Sequence, residues 1–247
     1  MNTLGIILAR AGSVGLKDKH LLPILGRPMV EYTFLHALAA KSLTRVVVSS
    51  DCATVRKLAE RCFIETIARP PELATSEASV QDALLHAMHT VESRSAFRAD
   101  AIVLLYGNVP VRKVELIDRA VELLQTSGCD SVRSMTPVGK WHPSWMLRFA
   151  DETRVISLQP NSIDRRQDLE PLYLHDGGVV AASRASMLRG EANPRDPHAF
   201  FGVDRRGVRA EPGDVVEVDQ LRDLYWAEAV LRERQQATAG AAVRMAS

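Results

Sequence analysis

The chain of 247 residues has little that would mark it for a membrane, for nucleic acid or for an oxidising compartment. It contains three cysteines, Cys52, Cys62 and Cys129. An odd count with no C-x-x-C or zinc-type spacing argues against a disulfide framework or a structural zinc site, and predicts reduced thiols. Lysine and arginine number 31 against 30 acidic residues, a net charge of +1. Such a balance supplies no general attraction to DNA, RNA or acidic lipid, so any basic function must be local and neither nucleic acid nor membrane is expected as a partner. Long apolar runs are missing too. The run at 4–8 is far shorter than the roughly 20 residues that span a bilayer, and it lacks the basic start and long centre of a secretion signal. The expected location is the cytoplasm. Neither G-x-x-x-x-G-K-[ST] nor G-x-G-x-x-G is present, and no internal repeat or low-complexity segment stands out.

What is present has ordinary globular proportions, 46% hydrophobic and 25% charged, in a length that suits one large α/β domain. Short apolar runs alternate with longer amphipathic ones. Strands are predicted at 3–8, 45–49 and 101–105, with helices at 29–40, 53–61, 80–92 and 114–127. That order predicts a mostly parallel sheet with helices on both faces. The rhythm breaks over 136–172, where Trp141, Trp145, several prolines and mixed charge predict an inserted lobe or a long lid. A buried strand returns at 177–182, followed by a late strand at 215–218 and a closing helix at 220–234. The remainder, 235–247, is rich in Ala, Gly and Gln and is expected to be a flexible tail to a single domain spanning 1–234.

The stretch behind the first strand, LARAGSVGLKDKHLLPILGRP at 8–28, gathers glycine, serine and the basic residues Arg10, Lys17, Lys19 and Arg27. A strand followed by a glycine-containing turn places main-chain N–H groups at the carboxyl edge of a parallel sheet, where open α/β proteins bind ligands. With Arg10 and Lys19 beside those donors, the turn suits a polyphosphate.

The same stretch, IILARAGSVGLKDKHLLPILGRPMVEYT, resembles the opening signature of the acylneuraminate cytidylyltransferase family, whose loop reads roughly A-R-x-x-S-K-G-x-x-x-K-N. Ala9, Arg10, Ser13, Gly15 and Lys19 match it. VVVSSD (46–51), RPPELAT (69–75), RRQDLEPLYLHDGGVV (165–180) and VEVDQLRDL (216–224) keep the family's order of later motifs. The family makes CMP-sialic acid and related activated acidic sugars, so the resemblance implies a Rossmann-like nucleotidyltransferase fold with an inserted dimerisation lobe at about 136–172, and a homodimer. It implies that Arg10 and Lys19 are catalytic contacts to the triphosphate of CTP. Leu8, Ala9, Ser13, Gly15, Arg69, Tyr106 and Asn108 complete the implied nucleotide site. Taken alone, Ser13 reads equally well as a turn residue, and Arg69 as a solvated loop residue.

VEVD stands where the family has D-I-D. On a strand, Glu217 and Asp219 share a face, and oxygen ligands in that arrangement suit a hard cation. Such a pair is more often a solvated sheet surface, but its place in the motif order points to Mg²⁺, with Mn²⁺ as the alternative. The lobe is implied to supply basic groups for the sugar carboxylate. Lys140, Arg165 and Arg166 are the candidates, with Gln167 and Asp176 in the adjoining segment, although a charged surface strip explains the basic ones equally well. Trp141 and Trp145 read as interface core.

Some positions depart from the family pattern. Val14 replaces the loop lysine. His20 replaces the asparagine after the second lysine and reads as a surface residue, or alternatively as a base-side hydrogen-bonding group. LYGNVPVR (105–112) replaces L-Q-P-T-S-P-L-R and is closer in form to the G-D-x-P segment of other sugar nucleotidyltransferases, with Asn108 a neutral oxygen ligand in place of the aspartate. Three readings therefore stand at this point: a cytidylyltransferase acting on an acidic sugar, a nucleotidyltransferase using a sugar 1-phosphate and another base, and a relative that binds nucleotide without catalysis.

Overall fold

The structure is a computed structural model and describes residues 1–12 and 15–246. Strand β1 (Thr3–Leu8) leads through the basic loop into a small hairpin, β2 (Pro23–Ile24) and β3 (Arg27–Pro28). Next come α1 (Met29–Ala39), β4 (Arg45–Ser50), α2 (Ala53–Arg61), β5 (Glu65–Ala68), α3 (Val80–Arg94) and β6 (Ala101–Tyr106). The second half runs through α4 (Glu115–Ser127), β7 (Ser131–Pro137), a hairpin of β8 (Leu147–Phe149) and β9 (Val155–Ser157), and β10 (Tyr173–Ser183). It closes with α5 (Arg184–Glu191), β11 (Arg205–Arg209) and α6 (Leu221–Ala246), which continues past the end at 234 expected from the sequence.

Seven strands form one sheet in the order β11-β7-β10-β6-β1-β4-β5. β1 is parallel to β4 and β6, β4 to β5, and β7 to β11. Only β10 runs antiparallel to its neighbours, β6 and β7. Its direction follows from the chain path. After β7 the chain leaves the sheet and returns directly beside it, and a return without a crossover pairs antiparallel. The interruption expected over 136–172 is this excursion. The Val138 N–H donates to the Leu172 carbonyl at its base, at 3.0 Å, and β8 pairs with β9 as a separate two-stranded sheet.

Period-two alternation divides β1 between two cores. Leu4, Ile6 and Leu8 pack with Leu84 and Met88 of α3, whereas Ile7 packs with Phe34 of α1 and Ile117 of α4. Helices therefore cover both faces. The segment expected as a late strand at 215–218 does not join the sheet. It makes one antiparallel bridge, Val111 to Val216, and lies across the turn after β6, with the Val218 N–H donating to the Asn108 carbonyl at 2.8 Å. Val216 and Val218 are buried against Met29 and Ala227, so the alternate residues Glu217 and Asp219 face the other way. No described helix is long and apolar enough to cross a membrane. Cys52 and Cys62 are half-buried and Cys129 buried, all as free thiols.

Candidate active site

The carboxyl ends of β1 and β6, the basic loop, the segment after β5, the N-terminus of α3 and the stretch 217–220 enclose a cavity of about 520 Å³. Leu8, Arg10, Gly15, Lys19, Arg69, Tyr106, Asn108, Glu217 and Asp219 all line it. Ala9 is wholly buried behind them and donates its N–H to the Ser49 carbonyl at 3.3 Å. Ser13 and Val14 lie outside the described residues.

The loop is held by contacts from distant parts of the chain. The Ala11 N–H donates to Asp51 Oδ1 at 2.8 Å, which ties the start of the loop to the end of β4. Further on, the backbone of Asp219 comes so close that a Cβ at residue 15 would stand 2.6 Å from its carbonyl oxygen. Glycine at 15 is therefore required by the approach of two segments rather than by turn conformation.

Arg69 is buried rather than solvated. Its Nε donates to Ser49 Oγ at 3.1 Å and a terminal nitrogen to the Ser49 carbonyl at 2.7 Å. Burial pushes its pKa down to about 10, against the pull of Asp51, so it remains a cation at neutral pH. Arg10 and Arg69 form no ion pair among the described residues, so the two guanidinium groups at the cavity wall give it an electropositive lining suited to an anion. His20 corrects the surface reading: it is 7% exposed and lines the cavity. Its Nδ1 is buried without a hydrogen-bond partner. Burial, with Lys19, Arg69 and Arg10 nearby, lowers its pKa to about 4, so the ring is neutral at physiological pH.

The carboxylates converge as the alternation requires. Asn108 Nδ2 donates to Glu217 Oε1, Asp219 Oδ1 and the Val218 carbonyl, each at 3.2 Å. The carbonyl partner fixes the amide orientation, so Asn108 presents its nitrogen here rather than the oxygen ligand expected from the sequence. Glu217 is raised above the usual carboxylate range, by burial and then by Asp219. It packs against Gly177, whose φ is +74°, and a Cβ there would stand 2.6 Å from Glu217 Oε2. Lys19 Nζ binds Asp219 Oδ1 at 2.7 Å. Two carboxylates crowded on one amide nitrogen, one of them already drawing in an ammonium group, form an oxygen donor set that fits a hard divalent cation. No group of three or more His, Cys, Asp or Glu gathers among the described residues, and Mg²⁺ commonly takes one or two protein carboxylates with water completing its shell.

The residues expected at the sugar do not line this cavity. Lys140 lies 5.0 Å over the Trp141 ring, and Arg165 Nε pairs with Asp168 at 2.8 Å. Arg166 and Gln167 are exposed on the excursion. Asp176 turns inward, accepting from Ser134 Oγ and from the Gly178 N–H, the latter at 2.9 Å. Trp145 donates to the Ile163 carbonyl at 2.8 Å, while Trp141 is 66% exposed. Conversely, the cavity includes residues to which sequence reasoning gave no role, notably Thr75, Ser79 and Gln220. Ser79 caps α3, its Oγ accepting from the Asp82 N–H at 3.0 Å. The helix start at 80 is expected from the sequence, and the S-x-x-D pattern is the signal that would have assigned Ser79 as its cap.

The sequence profile of the cytidylyltransferase family matches residues 4–180. The chain belongs to this family. As a cytidylyltransferase-family protein it is 33% identical over 192 residues to an N-acylneuraminate cytidylyltransferase of Streptococcus agalactiae serotype V, a match covering 76% of this chain and 45% of that one. The chain thus spans about half the length of such curated relatives. A CMP-N,N'-diacetyllegionaminic acid synthase of Legionella pneumophila is 28% identical, covering 80% of this chain and 84% of that one. Among solved structures, a CMP:2-keto-3-deoxy-manno-octonic acid synthetase complexed with CTP superimposes with a TM-score of 0.72 at 19% identity, covering 95% of this chain and 100% of that one. The fold is therefore the α/β nucleotidyltransferase fold.

Proposed function

We propose that the protein transfers the cytidylyl group of CTP to an acidic, sialic-type nonulosonic sugar, giving a CMP-sugar for surface polysaccharide synthesis and pyrophosphate. The observation that carries this reading is the meeting of Arg10, Lys19 and Arg69 with Glu217 and Asp219 around one cavity. Three cations suit a triphosphate, and the carboxylate pair suits the divalent ion that accompanies it. The names of the relatives, which include N-acylneuraminate and diacetyllegionaminic acid enzymes, support an acidic nonulosonic acceptor.

In this reaction the sugar hydroxyl oxygen attacks the α-phosphorus and the bond to the bridging oxygen of the β-phosphate breaks. Pyrophosphate leaves with that electron pair, and the hydroxyl proton passes to water. Arg10, Lys19 and Arg69 bind the triphosphate, fix its orientation and offset the charge that grows on the leaving group. Glu217 and Asp219 would hold Mg²⁺, or Mn²⁺, which would supply charge stabilisation to the phosphoryl transfer. Pyrophosphate release tests the assignment. Release is expected with CTP plus a carboxylated nonulosonic sugar, with Lys19→Ala weakening CTP binding by about 10- to 150-fold, as a charge-assisted contact of roughly 1.5–3 kcal/mol requires. Release with a sugar 1-phosphate and another nucleoside triphosphate instead, or with no pair at all, overturns it.

The acceptor side points to a homodimer. The basic residues at 140, 165 and 166 lie outside the cavity of their own chain, on an excursion that exposes Trp141 (66%), Leu147 (61%) and Phe149 (70%). Three large apolar side chains in one lobe favour burial against a second copy, which then brings the basic groups to its neighbour's sugar. Sedimentation at micromolar concentration is expected to show a dimer. Phe149→Glu is expected to give a monomer that binds CTP and loses transfer, and a fully active monomer would refute the shared site.

A further inference from the structure

Lys19 and Asp219 are 200 residues apart in sequence, yet Nζ and Oδ1 stand at 2.7 Å. The proposed function, on which this inference rests, sends these groups to different ligands, Lys19 to phosphate and Asp219 to metal. We propose that the Lys19–Asp219 ion pair is an internal latch on the metal site: Lys19 holds the oxygen a divalent cation needs, and metal binds well only after a phosphate draws Lys19 away.

The geometry supplies the cause. Asn108 Nδ2 is 3.2 Å from both Glu217 Oε1 and Asp219 Oδ1, so the two carboxylates are neighbours; the Lys19 ammonium offsets their repulsion at Asp219, while Arg112 acts on Glu217. The Lys19 side chain is 13% exposed and that of Asp219 60%, so solvent screens the pair from the Asp219 side while the ammonium itself faces the cavity. A divalent ion on Asp219 alone would either displace this ammonium into a cavity already holding Arg10 and Arg69 or sit beside it, and both arrangements set like charges together. A triphosphate gives Lys19 a new partner and removes that repulsion. Metal and nucleotide therefore favour each other, and by linkage each raises the other's affinity by the same factor.

The test uses the full chain and metal alone, without nucleotide. Mn²⁺ binding is followed by electron paramagnetic resonance, and Mg²⁺ binding by calorimetry. Lys19→Met is expected to bind either ion about 5- to 150-fold more tightly than the wild type, the usual range of a coupling between sites. Lys19→Arg keeps the charge and is expected to stay weak. Arg10→Met removes a cation of the same cavity that does not touch Asp219, and is expected to gain much less than Lys19→Met. Adding Asp219→Asn to Lys19→Met is expected to abolish the gain. Unchanged or weaker metal binding in Lys19→Met overturns the latch, and so does an equal gain in Arg10→Met, which would reduce the effect to the general field of the cavity. These outcomes are separate from the fate of the proposed reaction, which wild-type pyrophosphate release decides by itself.

Discussion

Asp219→Asn is expected to lower turnover on the order of 100-fold or more while leaving the fold intact, because it removes an anionic metal ligand from a site whose chemistry depends on charge stabilisation. The thermal midpoint should hardly move. The Asp219 side chain is 60% exposed, its pair with Lys19 is of the kind that contributes little to stability, and losing its charge relieves the repulsion that raises Glu217. Glu217→Asp is the informative companion: it restores the D-x-D pattern, and the shorter side chain withdraws from Gly177. It is expected to retain activity with Mg²⁺. Full metal-dependent turnover in Asp219→Asn would return the pair to a solvated face with no role in the reaction.

The largest loss of stability is expected at Arg112. This residue is 1% exposed, and among the wholly buried side chains it is the largest. Its Nε donates to the Gly178 carbonyl and a terminal nitrogen to the Tyr106 carbonyl at 3.3 Å. Its other terminal nitrogen meets His36 Nδ1 at 3.2 Å. Burial lowers its pKa to about 9 against the pull of Asp176 and Glu217, so it is still charged at neutral pH. One guanidinium thus joins α1, the end of β6 and the glycine turn within β10. Arg112→Met fills a similar volume but leaves two carbonyls and the Asp176 carboxylate, whose Oδ2 already lacks a partner, without their cation. Leaving buried carbonyl acceptors unsatisfied costs about 1–3 kcal/mol each, and for a chain of this length each kcal/mol lowers the midpoint by roughly 2–4 °C. Arg112→Lys should rescue only part of it, since an ammonium cannot serve three directions in one plane. Chemical denaturation showing a loss under 1 kcal/mol for Arg112→Met would refute this account.

The elements that could be read from the sequence are those in which burial repeats with a regular period. β1 alternates between two cores and α2 occupies 53–61 as expected, because each repeats its own side-chain pattern along the chain. β5, β7 and β11 were not anticipated. β11 buries only Val208 among its five residues, and an edge strand with one face in solvent leaves almost no alternation to detect. The strand expected at 215–218 has the right apolar pattern. It serves α6 and the turn after β6 rather than the sheet, a choice that no local pattern encodes.

The site divides in the same way. The amino-acid sequence by itself determined the chemistry available: a cationic loop behind the first strand, an arginine before two prolines and a carboxylate pair two residues apart, because residue type and short-range spacing are local properties. Only the tertiary structure decided what those groups meet. It buried His20 and kept it neutral, turned Asn108 to offer its nitrogen, buried Arg112 between α1, β6 and β10 and set Lys19 against Asp219. Each of these depends on segments tens to hundreds of residues apart being packed within hydrogen-bonding distance. Burial and the charges gathered there then set protonation, and neither can be computed from neighbours in sequence.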